Sequence, residues 1–145
     1  LLDRAYSLAA VSGVPERRRH AQFGLSLAHA ALGDGEAAIF FGKQAVNTVQ
    51  GMRGGLIALE SGLQASFLER QRQAYEHLAR NLVEAGRLPE AQQVLAMLKE
   101  QEHFEFIRGD TKKEVRETKA SYTGQEAPWA ARYAELSAQA VALGR

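Results

Sequence analysis

One local design occurs twice, and it constrains this chain more than any other feature. Gly33-Asp34-Gly35-Glu36-Ala37-Ala38-Ile39 ends one helical pattern and opens another, and Gly86-Arg87-Leu88-Pro89-Glu90-Ala91-Gln92 does the same. Gly86 makes a tight turn, and Pro89 suits a first helical turn because its missing N–H would be unpaired there anyway. Apolar residues then recur in steps of three and four. The first copy carries Ala38, Ile39, Phe41, Ala45, Val46 and Val49; the second carries Ala91, Val94, Leu95, Leu98, Phe104 and Phe106. That spacing predicts amphipathic helices with one buried stripe each. A unit that recurs within a short chain means repeats, which bury their apolar faces against one another.

The rest of the chain fits the same texture. Leu1 to Val11 has a helical rhythm, broken at Ser12-Gly13-Val14-Pro15, and reads as the end of an incomplete upstream unit. A helix is predicted over 16–32, with Phe23, Leu25, Leu27, Ala28 and Ala31 on its apolar side. Arg17-Arg18-Arg19-His20 at its start reads as a solvated face. The next helix begins at Glu36, and Gly51, Gly54 and Gly55 are expected to end or kink it. Helical patterns resume over 56–68 and 69–85. Residues 109–122 are charged and poor in apolar side chains and read as a loop or linker. Thr123-Gly124-Gln125-Glu126 has the form of a capping box, opening a last helix over about 125–143 with Trp129 and Tyr133. Alternating apolar and polar runs are missing, so the fold class is all-α. The division expected is a helical-repeat domain over 1–108, a linker over 109–122 and a C-terminal helix within 123–145 that caps the stack. Inside the repeat domain lie a partial unit over 1–13 and repeats over about 16–52 and 56–108.

Composition removes several functions. The chain has 145 residues, 46% of them hydrophobic, enough for one ordinary core. Its formal net charge of +1 gives no general attraction to nucleic acid or anionic membranes. No apolar run approaches the ~20 residues of a membrane span. With no cysteine, a disulfide scaffold, a thiol nucleophile and a thiolate metal site are all excluded. That absence fits cytoplasm and periplasm alike; cytoplasm is the favoured expectation. The chain begins Leu1-Leu2 and reads as a piece of a longer protein. His20 and His29 are too far apart to share adjacent helical turns, and His77 and His103 are isolated, so no metal site is expected. Glu100, Glu102 and Glu105 read as a solvated helix face, and Gly51 to Gly55 lacks the lysine of a phosphate loop. No cofactor is expected, and the segment is read as non-catalytic.

With Gly33 laid on Gly86, Leu25 pairs with Leu78, Ser26 with Ala79, Ala38 with Ala91 and Ala45 with Leu98. This pattern resembles the tetratricopeptide repeat, in which antiparallel helix pairs stack into an α-solenoid with small residues at their closest approach. Ser26, Ala38, Ala45, Ala79 and Ala91 match the family's small positions. Leu98 and Gly35 depart from the family, and neither copy ends in its usual proline. The copies lie 53 residues apart (86 minus 33), against the ~34 of the standard repeat; the extra length falls between Val46 and Gln71 and implies elongated helices. The segments A-I-F-F-G-K-Q-A-V-N-T-V-Q, L-Q-A-S-F-L and G-R-L-P-E-A-Q-Q-V-L-A-M-L-K-E-Q-E-H-F-E-F-I-R-G-D look like the repeat region of bacterial proteins that carry a C-terminal CHAT domain, a caspase-like cysteine peptidase module. The family's His–Cys dyad has no cysteine here to receive it, so a catalytic domain would lie beyond Arg145.

The resemblance implies a module for protein–protein interaction that positions or regulates a downstream domain. The alternative is an intramolecular scaffold or dimerisation module. By family alignment the concave groove is lined by His20, Phe23 and Leu27 from the first copy and by Gln73, Glu76, Arg80 and Glu84 from the second. The lysines and asparagines of the family's carboxylate clamp are missing from these positions. The implied ligand is therefore an amphipathic helix or an extended segment of a protein, or the downstream domain of the same chain. A homodimer through the open ends of so short a stack is a further option.

Overall fold

The computed structural model describes residues 14–56, 61–106 and 119–143, apart from the side chains at 53–56, 61–65, 68 and 101–106. Five helices occupy these residues: α1 Pro15–Ala31, α2 Gly35–Leu56, α3 Ser61–Glu84, α4 Leu88–Phe106 and α5 Ala127–Leu143. No strand occurs among the described residues, in keeping with an all-α fold. The expected helix over 1–11 and most of the expected linker, 109–118, lie outside the described residues. So do the side chains of Glu102, His103, Phe104 and Phe106.

The two glycine turns share one hydrogen-bonding pattern. Gly33 and Gly86 have φ of 79° and 74°, a left-handed backbone that a Cβ would strain. Around the first, the Gly33 N–H donates to Ala30 O (3.1 Å) and the Asp34 N–H to His29 O (2.9 Å). Around the second, Gly86 N–H donates to Val83 O (2.9 Å) and Arg87 N–H to Leu82 O (2.8 Å). Both are Schellman caps, which satisfy the last helical carbonyls. The next helices also start alike, with Ala38 N–H donating to Asp34 O and Ala91 N–H to Arg87 O. Every one of these bonds recurs at the same sequence offset.

α1 packs on α2, α2 on α3 and α3 on α4. The main core joins Ile39, Val46 and Val49 of α2 to Tyr75, Leu78 and Leu82 of α3 and to Ala91, Val94 and Met97 of α4. All five small residues picked out by the repeat alignment are buried. The closest approach is at Ser26, whose hydroxyl donates to Ala38 O at 2.6 Å. A Cβ on Gly42 would lie 3.0 Å from Leu78 Cδ1 and 3.3 Å from Ser26 Oγ. That glycine lets α1, α2 and α3 meet.

Two local details bear on these expectations. α2 runs through Gly51 to Leu56, the residue after Gly54 and Gly55. The buried stripe through Val46, Val49 and Gln50 outweighs a glycine penalty of roughly 1 kcal/mol. Arg19 is not part of a solvated face. It shares an inward stripe of α1 with Gln22 and Ser26, is 3% exposed, and lies 3.2 Å from the Glu16 carboxylate and 2.8 Å from the His20 ring. Arg17, Arg18 and His20 do face solvent.

α5 is attached differently from the other helices. None of its residues is buried. It leans on a second cluster formed by Leu25, Phe40 and Phe41, where the Trp129 ring lies 5.7 Å from Phe40 and the Tyr133 ring 5.5 Å from Phe40 and 5.2 Å from Phe41. The capping box before it is formed reciprocally. Thr123 N–H donates to Glu126 Oε2 (2.9 Å) and Glu126 N–H donates to Thr123 Oγ1 (3.3 Å).

Candidate functional site

The groove residues named from the sequence fall on α1 and α3. Phe23 on α1 is half-buried and meets the His77 ring of α3 edge-on, with centroids 5.7 Å apart. This contact bridges the two helices, both of which pack on α2. His20, Leu27, Gln73, Glu76, Arg80 and Glu84 are all exposed. Glu76 pairs with Arg72 one turn earlier at 3.7 Å. Leu27 and Val83 are 45% and 51% exposed, so this face offers apolar surface between charges. The structure brings Phe23 against the turn of α3 that carries Glu76 and Arg80; the other named residues stay on the same two helices without a direct contact among them in view.

His77 is a packing residue, and no metal-ligand cluster forms among the described residues. Besides Phe23, its ring lies 3.1 Å from the Asn81 amide. Burial lowers its pKa below the ordinary 6.5 and the Arg80 charge adds to this, while the Ser26 backbone and Glu84 work the other way. His29 is half-buried, stacked 5.4 Å from Phe41 and 3.5 Å from the Asp34 carboxylate, as a packed role requires.

A second assembly lies on α2 and α4. Lys43 sits within the apolar run of α2 and is 1% exposed. Its ammonium donates to Glu90 Oε2 at 2.6 Å, to Glu126 Oε2 at 2.7 Å and to the Ser121 carbonyl at 2.7 Å, using all three protons. Arg87 donates to both Glu90 oxygens at 2.7 and 2.8 Å and to Glu126 Oε1 at 2.8 Å. One turn on from Lys43, Asn47 grips the backbone of Ala120 twice: its amide NH2 donates to Ala120 O (3.1 Å) and its carbonyl accepts from Ala120 N–H (2.8 Å). Ala120 is 3% exposed and belongs to the main core. Residues 119–122, read as the end of a linker, therefore run as an irregular strap tied to α2.

The charges in this assembly are balanced and fixed. Burial opposes ionisation of Glu126, but bonds from Arg87, Lys43 and the Thr123 N–H outweigh it and hold its carboxyl below the ordinary 4.5. The bond from Arg87 does the same for Glu90, against the effect of burial and with help from Lys43. The bond to Glu90 also raises the pKa of Arg87. Carboxylates so firmly ionised are poor proton acceptors, so the cluster is suited to holding segments together and not to acid–base work.

Sequence reading reached Glu126 as a cap and missed Lys43, Asn47, Arg87 and Glu90. One signal was present. Lys43 follows Ile39 by four residues and precedes Val46 by three, which puts a charge on the predicted buried stripe, and a buried charge requires a partner. Among the described residues no three of His, Asp and Glu converge as a metal site would need. No helix among them is long and apolar enough to cross a membrane. Comparison with family models, with curated proteins and with solved structures finds no match to this chain.

Proposed function

We propose that this chain is a non-catalytic interaction module built from tetratricopeptide-type repeats, belonging to a larger protein of the CHAT-domain kind and positioning or regulating its downstream domain. Support for the repeats comes from the two Schellman caps and helix starts that recur at one offset, and from the burial of Ser26, Ala38, Ala45, Ala79 and Ala91. The observation that carries the binding role is the α1/α3 face. Phe23 on His77 bridges the two helices, and exposed Leu27 and Val83 lie on them among Gln73, Glu76, Arg80 and Glu84. A face of this kind accepts a helix or an extended segment of a protein partner.

Phe23 is held by His77, so substituting it perturbs packing as well as binding. Leu27 and Arg80 are exposed and make the cleaner pair. The test is a pull-down from host lysate at physiological salt, with the Leu27→Glu/Arg80→Glu chain as control. A discrete protein retained by the native chain and lost with an equally helical control supports the reading. An empty result from folded bait overturns it in favour of the second reading, a self-contained scaffold. That alternative draws on one observation, the seating of residues 119–126 on α2 and α4.

A further inference from the structure

The strap is bound to α2 and α4 in the way a peptide ligand is bound. Asn47 grips the backbone of Ala120 twice and Lys43 reaches the Ser121 carbonyl, so these bonds read the main chain, and the Asn47 amide adds a longer contact to the Tyr122 hydroxyl at 3.4 Å. Specificity comes from two points. Ala120 fills a closed position in the core, where a larger side chain would not fit. Six residues on, Glu126 supplies a carboxylate to two cations. Without the strap this face would hold Lys43 and Arg87 against Glu90 alone, one negative charge short. Asn47 would lose both of its backbone partners there. The site is thus incomplete until an extended segment brings a carboxylate to it.

We propose that the α2/α4 face, centred on Lys43, Asn47 and Arg87, is a receptor site for an extended segment that brings one carboxylate. Its ligand has a small residue followed, six positions on, by the glutamate of a Thr-x-x-Glu cap. Residues 119–126 occupy the site in cis and compete with a segment of the same chemistry on a protein partner. The site is separate from the α1/α3 face and stands or falls independently of it. α5, which the strap carries, buries no residue of its own, so the strap's anchors and the ring contacts of Trp129 and Tyr133 with Phe40 and Phe41 together hold the C-terminal piece. A tethered copy has an effective concentration on the order of millimolar, which keeps an external segment out until a cis anchor is weakened.

The probe is a fluorescent dodecapeptide, Lys-Ala-Ser-Tyr-Thr-Gly-Gln-Glu-Ala-Pro-Trp-Ala, copied from 119–130 and titrated by anisotropy against the full chain. The Glu126→Ala chain, its cis anchor removed, should bind it about tenfold or more tighter than the native chain. Ala120→Lys opens the strap by a different route and should act the same way. Adding Asn47→Ala to either should return binding to the native level, and changing the peptide's glutamate to glutamine should weaken it. Absence of binding by an opened chain that keeps its helical circular dichroism overturns the proposal. Binding that ignores Asn47→Ala overturns it equally, since the peptide would then sit elsewhere.

Discussion

The α1/α3 face and the α2/α4 face are built from the same hairpins but hold their charges differently. On the first, Glu76 and Arg72 are 3.7 Å apart and both side chains are about half exposed. On the second, Lys43 and Glu126 are 2.7 Å apart with side chains 1% and 3% exposed. Water screens the first pair and leaves it nearly neutral in energy. The second pair has given up hydration and is stable only because every ammonium proton and both carboxylate oxygens have partners. An exposed charge can be exchanged for another at small cost, whereas a buried one commits its partners. Open binding faces are built from charges of the first kind, and permanent or competitive ties from the second.

The largest expected effect tests that distinction directly. Glu126→Ala leaves buried Lys43 with one carboxylate and Arg87 with one, and should lower stability by about 3 kcal/mol in urea unfolding. Arg80→Ala, on the open face, should change it by no more than about 0.5 kcal/mol. Equal effects would mean that the buried network is no more committed than surface charge.

Acid should act on the same network. Glu90 and Glu126 both have folded pKa values below 4.5, so in acid the unfolded chain takes up protons first. Their contribution is fully present above the unfolded carboxylate range and is lost as pH falls through the depressed folded values. Unfolding followed from pH 6 to pH 3 should show stability falling below about pH 4.5, with a shallower fall in Glu126→Ala. A fall just as steep in that variant would assign the acid sensitivity to other carboxylates.

How much of this was legible beforehand follows from the range of the interactions. The turns at Gly33 and Gly86, the helix starts and the Thr123/Glu126 box are set by residues within about five positions, and each could be read from its own neighbourhood. The buried small residues were legible because repetition showed the same position twice. Lys43 with Glu126, and Asn47 with Ala120, join positions far apart along the chain that no periodicity links. A buried lysine can be suspected from its place on an apolar stripe, but its partner is fixed only by the packing.

Two glycines of α2 sharpen the contrast between packed and open surface at a smaller scale. Alanine in a helix interior is favoured over glycine by roughly 1 kcal/mol wherever there is room. At Gly51 a Cβ would meet nothing within 4 Å, so Gly51→Ala should stabilise by about 0.5–1 kcal/mol. At Gly42 the Cβ would press on Leu78 Cδ1 at 3.0 Å and on Ser26 Oγ at 3.3 Å, both on fully buried side chains. Overpacking of that kind costs about 1–3 kcal/mol and outweighs the propensity gain, so Gly42→Ala should destabilise. Thermal unfolding of the two variants should move the midpoint in opposite directions.

The smallest expected effect belongs to the open face and begins at a higher pH than the acid loss above. His77 is held neutral by burial beneath Phe23, with Arg80 nearby adding to the lowering and Glu84 partly offsetting it. Its folded pKa is below 6.5, so between that value and 6.5 the unfolded chain binds more protons than the folded one. Its contribution is complete above 6.5 and is lost as pH falls through the folded value. A partly buried ring shields its charge incompletely, so the loss that begins below pH 6.5 should be under about 1 kcal/mol. His77→Gln removes the titrating group and should flatten that loss while leaving the contribution of the strap carboxylates in place. Glu126→Ala should do the reverse. If either substitution changed both contributions, the two faces would be coupled through α2 and α3, and the independence of the open groove from the strap would fail.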